Sequence, residues 1–302
     1  MKSTIILINK RILRKVFVTL ESGVFLPNIK RGGEEELKLF DDWVKYLKSF
    51  CRISIIGYYV TIIFALITWS IEKSSKYPFG DFPEIVNFET TLILQIFIYV
   101  ILATAYVIIE VTYFTILGHI QCHLVNLQNY LKNITKRIKN SHSDVLKDLN
   151  TFHWDILTPR IKIAVDYHVA IYQVSKDIDK TYRFCHLVGF VTITIIFCVL
   201  MYDLSFKKLF GNVFLLEILY ISVLLALLCF NCYCGNETLN KSLEVALACT
   251  EINFLNTDIR FQKALILIIQ RSQKPICFKV GNFVLLTSGT AVSVSNKNSQ
   301  KQ

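Results

Sequence analysis

Residues 53–71 run for 19 positions without a charge, and residues 90–109 for 20. A hydrocarbon core about 30 Å thick is crossed by roughly 20 residues of helix. Within it every backbone N–H and C=O must be satisfied inside the segment, which leaves the helix as the form for separate apolar runs. Residues 184–202, interrupted only by His186 near the start, and 218–235 have the same character. The chain is therefore expected to be all-α, a polytopic transmembrane helical bundle with four full spans. Hydrophobic residues make up 53% of it and charged residues 19%, a more apolar and more clustered composition than a soluble domain carries.

Between the spans the charge is lopsided. Segments 1–52 and 132–183 hold 11 and 10 basic residues, whereas loops 72–89 and 203–212 hold two each. Lys and Arg collect on the cytoplasmic side, so the N-terminus is placed inside. The net charge of +10 is thereby topological. Nucleic-acid binding is set aside because no recognisable module accompanies the charge. The apolar character after Glu110 persists to about Leu131, too far for one bilayer crossing, so that helix should run on into the cytoplasm. Glu110 reads as a solvated interfacial carboxylate, although an acid at membrane depth is a functional candidate by default.

In the N-terminal segment Gly32-Gly33 marks a turn, and Glu34, Glu35 and Glu36 suit the positive end of the helix that follows. Ile163, Tyr167, Ile171 and Val174 form an apolar stripe for packing, as do Leu239, Leu243 and Leu247. His119 and His123 stand four apart but lack the Glu of a His-Glu-x-x-His pattern. Cys229, Cys232 and Cys234 have no second pair or histidine at zinc spacing, and read as small buried hydrophobes. No metal or cofactor is expected. With no phosphate loop, nucleophile motif or paired carboxylates, an enzyme is not expected either.

The last third is unusual. The aliphatic block Ala264–Ile269 is cut by Arg271-Ser272-Gln273-Lys274-Pro275, after which an apolar segment resumes with Gly281 and Phe283. Proline cannot continue a helix, and a break at membrane depth is tolerated only inside protein or beside a water cavity. A broken last helix is the expectation. A secondary transporter also uses broken helices, but it calls for an internal repeat that this chain does not show.

These residues resemble the C-terminal signature of insect odorant receptors. Tyr233, Gly235, Asn236 and Ser242 match its first part, and Phe261, Lys263, Ala264 and Leu265 match the approach. Arg271 to Pro275 match in full, followed by Gly281, Phe283, Leu286 and Thr290. The resemblance implies a plasma-membrane, odorant-gated cation channel subunit in a hetero-tetramer with a shared co-receptor. A gustatory receptor and a non-conducting receptor fragment are the alternatives, the latter because the family has seven helices and a longer chain. It implies the following division: a cytoplasmic N-terminal segment, 1–52; two spans, 53–131; a cytoplasmic helical loop, 132–183; two spans, 184–235; cytoplasmic packing helices, 236–275; and a truncated pore-helix segment with a polar tail, 276–302. Small volatile ligands would bind between helices in the outer half of the bilayer. The candidates there are Phe64, Trp69, Gln95, Phe97, Thr194, Phe197, Phe214 and Tyr220, although residues of this kind in a span more often serve as packing or interface anchors. The family's hydrophobic pore constriction aligns with Val294. Arg271, Gln273, Lys274 and Pro275 would lie at the turn beneath the pore, in subunit contact or as a solvated cluster.

Overall fold

A computed structural model describes residues 6, 9–72, 87–136, 154–205, 212–254, 257–282 and 284–286. Helix α1 (Lys10–Leu20) leads through a 3-10 turn (Gly23–Phe25) into α2 (Ile29–Glu72), which is bent at Gly33. Three long helices follow: α3 (Phe88–Lys132), α4 (Trp154–Leu204) and α5 (Asn212–Thr250). The described chain closes with α6 (Ile259–Ser272) and an antiparallel pair, β1 (Lys279–Val280) and β2 (Val284–Leu285).

Three of the described helices, α3, α4 and α5, contain stretches long and apolar enough to cross a membrane. The first charge-free run occupies the end of α2. Each of these helices continues past membrane length without interruption. α3 records the change of solvent along one rod. Toward its start Ile93, Phe97, Ile101 and Leu102 are exposed, as suits lipid contact; from Tyr113 to Leu131 nearly every side chain is buried. A helix apolar or buried all round lies at a core, and the end of α3 is the axis of a packed lobe formed with α1, α4, α5 and α6.

The α4 packing stripe is largely where periodicity puts it, with Tyr167, Ile171 and Val174 buried, whereas the α5 stripe is not. Along α4 the buried line is Leu157, Ile161, Ala164, Tyr167, Ile171, Val174 and Ile178, while Ile163 is 39% exposed. On α5 the inward face is Thr238, Ser242, Val245, Ala248 and Cys249, whereas Leu247 is 60% exposed. Small side chains let α5 lie close on α3, and Leu243 and Leu247 are turned outward while Leu239 is half-buried. The histidines also find an ordinary explanation. His123 Nδ1 pairs with the Tyr167 hydroxyl at 2.7 Å beneath the Phe25 ring. Burial, helped by nearby His119 and Arg31, pushes the His123 pKa down to about 3, so its ring stays neutral in the core.

The expected break is present: α6 ends at Ser272. Beyond it the chain does not resume as a helix over the described residues. It turns at Gly281, where φ is +59°, and pairs Val280 with Val284. A left-handed glycine suits such a turn, and Gly281-Asn282 is turn chemistry that outweighed the apolar pattern. Val294 lies outside the described residues.

Candidate functional site

Four of the signature residues, Gly235, Ser242, Gly281 and Leu286, meet with Asp179 and Arg183 where the strap after α6 lies against α4 and α5. The Ile276 N–H donates to Ser242 Oγ at 3.0 Å and the Lys279 N–H to Asp179 Oδ1 at 2.9 Å. Asp179 forms an ion pair with Arg183 one turn on. Arg183 in turn donates to Asn282 Oδ1, and its carbonyl accepts the Gly281 N–H, both at 3.0 Å. The Leu286 N–H closes the strap on the Phe278 carbonyl at 2.9 Å. Gly235 sits where this strap crosses α5: a Cβ there would lie 2.6 Å from the Leu286 carbonyl oxygen. Alongside, Gln121 Nε2 ties α3 to Thr238 Oγ at 3.0 Å and to the Cys234 carbonyl at 3.2 Å. The signature thus reads as backbone geometry rather than reactive chemistry.

Beside the strap, α3, α4, α5 and the hairpin line a partly open cavity of about 300 Å³. Its walls are apolar except for Tyr106, Glu110, His186 and Asn231. Glu110 is 8% exposed, so the solvated interfacial carboxylate expected from sequence is in fact a buried wall residue. The His186 ring packs on Tyr113 at 4.4 Å between centroids. Asn231 donates to the Leu227 carbonyl at 3.0 Å, and its buried Oδ1 has no hydrogen-bond partner among the described residues. Gly189, which adds no side chain, leaves room on the α4 wall.

None of the six outer-half candidates whose side chains are described lines this cavity. Gln95 is buried, Phe97 is 61% exposed, and Tyr220 is exposed. Thr194 is exposed with its hydroxyl donated to the Phe190 carbonyl. Phe197 and Phe214 are half-buried, and the side chains of Phe64 and Trp69 lie outside the described ones. In the turn after α6, Arg271 is engaged within its own chain: its guanidinium lies 3.6 Å over the Tyr172 ring and donates to the Lys274 carbonyl. Gln273 and Lys274 are exposed, and Pro275 is half-buried. Sequence reading missed Asp179, Arg183, Tyr106, Asn231 and Gly189. Only the first two carried a local signal, an acid and a base four apart on a helix.

Long helices with membrane-length apolar stretches that join in one lobe, with a latched strap after the last of them, define a multi-pass helical membrane protein. The structure superposes on the olfactory receptor OR5 of Machilis hrabei with TM-score 0.71 and 17% identity, covering 97% of this chain and 74% of that one. On the same receptor in complex with eugenol the TM-score is 0.74 at 16% identity, covering 96% and 73%. The 7tm Odorant receptor family model matches residues 28–295, and the chain belongs to that family. Among curated relatives, Odorant receptor 30a of Drosophila melanogaster is 32% identical over 96 residues, which is 32% of this chain and 25% of that protein. Odorant receptor Or2 of Anopheles gambiae is 27% identical over 131 residues, 43% of this chain and 34% of that one. The chain thus aligns with about a quarter to a third of the length of these two relatives.

Proposed function

We propose that this odorant receptor is a ligand-gated cation channel subunit of the plasma membrane, assembled with a shared co-receptor and opened by small volatile molecules. The observation that carries this reading is the strap: Ser242 and Gly281 of the signature, together with Asp179 and Arg183 of α4, fix by four cross-element hydrogen bonds the segment that precedes the aligned pore position Val294 in sequence. A segment held at its base can pass on a shift between closed and open arrangements, provided the ligand binds one better than the other. Gln95 is the best placed of the outer-half residues to meet such a ligand, because it is a buried polar group in an apolar span. Eugenol, bound by the Machilis receptor, supports a compact, largely apolar ligand class. The outward leucines of α5, with exposed Ile266 and Leu267 of α6, supply an apolar face for a neighbouring subunit. Gln273 and Lys274 lie next to it in sequence.

Co-expression with an insect olfactory co-receptor tests the reading. A panel of volatiles should open cation currents in the pair that the co-receptor alone does not give. Solute uptake without current would replace the channel by a transporter. The inside position of the N-terminus, argued from loop charge, has a separate check. The sequons at Asn133 and Asn236 should both stay unmodified on translation into microsomes, and glycan on Asn133 would invert the topology.

A further inference from the structure

We propose that the cavity beside the strap is a second ligand site, selective for small primary alkylamines. It goes beyond the odorant reading, and it does not depend on conduction. The cavity lies away from Gln95, the buried polar group among the outer-half residues: from Gln95 to Tyr106 is roughly 16 Å along α3 at ~1.5 Å per residue, while Thr194 adjoins the lining only through its bond to the Phe190 carbonyl. Its volume of about 300 Å³ falls at the small end of ligand pockets.

The polar wall decides the chemistry. Glu110 brings a buried carboxylate to an otherwise apolar space. Asn231 brings an amide oxygen that no described residue satisfies. Both accept hydrogen bonds, and for the Asn231 oxygen, a buried acceptor, having no donor among the described residues is costly. Among the described lining residues none is lysine or arginine and His186 is the one basic group, so carboxylates and phosphate headgroups meet no permanent counter-charge there. An ammonium group offers three donors and a positive charge. Its alkyl chain would lie against Phe190, Leu227 and Val284, the last of which belongs to the strap.

The test uses the purified full chain in phosphatidylcholine nanodiscs and a hexylamine carrying a diazirine on its alkyl chain. Irradiation should label peptides covering 186–193 and 227–232. Unlabelled hexylamine should protect at a concentration about ten-fold or more below that needed of hexanol, the margin of a charge-assisted hydrogen bond, and hexanoate should not protect. Glu110→Gln, close to isosteric, should erase the preference for amine over alcohol, and Gly189→Leu should block labelling by filling the space. Label confined to other segments, equal protection by hexanol, or an unchanged preference in Glu110→Gln would each overturn the proposal. Channel failure leaves this labelling intact, and absent labelling leaves odorant currents intact, so the two readings fail separately.

Discussion

Arg31→Met should release the N-terminal clasp from the lobe, raising amide hydrogen exchange in residues 10–36 by between about a hundred-fold and a few thousand-fold. Arg31 and Glu36 are 4% and 5% exposed. The guanidinium pairs with the Glu36 carboxylate through Nε at 3.0 Å and through Nη2. It also donates to the carbonyls of Val24 and Leu26 and lies 4.1 Å over the Tyr167 ring. Removing one member of a buried ion pair costs about 3–5 kcal/mol, because the other charge is stranded without water. At about 1.4 kcal/mol per decade that gives the stated range. The double variant Arg31→Met with Glu36→Leu should recover most of the protection, since an apolar replacement of the whole pair is often close to neutral. Unchanged exchange in the single variant would mean that the pair does not hold the clasp. Exchange raised equally along α3 would mean global rather than local loosening.

The same cluster shows what a sequence does and does not disclose. Gly32-Gly33 announced a bend, and the bend is there with φ +69° at Gly33. A Cβ at Gly32 would fall 2.1 Å from Glu36 Oε2, so both glycines serve the turn that folds the carboxylate back onto Arg31. The identity of that partner was not legible: three consecutive glutamates look alike in one dimension, and only the docking of Phe25 and Tyr167 selects the third. The spans, by contrast, were plain, because bilayer thickness imposes a length and a charge pattern on any chain that crosses it. The outward turn of Leu247 escaped for the opposite reason. Outside the bilayer the same leucine period fits an inward face or an outward one, and the choice fell to the small residues that let two helix backbones approach. The cavity was least legible of all, since Glu110, His186 and Asn231 come from three helices and meet only when these are packed.

Gly235→Val should displace the strap from α5 and uncover the cavity wall behind it. The glycine faces the Leu286 backbone so closely that an added Cβ would stand 2.6 Å from its carbonyl oxygen and 2.9 Å from its Cβ. Neither side yields easily. Gly235 lies within a continuous helix, and Leu286 is tied back by its N–H to Phe278. Overpacking of this kind costs about 1–3 kcal/mol, which the strap, a two-residue ladder rather than a helix, is the element to absorb. Cys232 reports the outcome, because it is 5% exposed and lines the cavity that Leu286 helps to line. Alkylation of Cys232 by a small membrane-permeant maleimide, read by peptide mass spectrometry, should quicken by about ten-fold. Gly57→Val is the matched control, since a Cβ at Gly57 meets nothing within 4 Å, and its Cys232 rate should stay at the wild-type value. If Gly235→Val accumulates normally and Cys232 reacts no faster, the glycine is not what lets the strap close on the helix. The chain would then have to reach its last segment by contacts other than those at the strap.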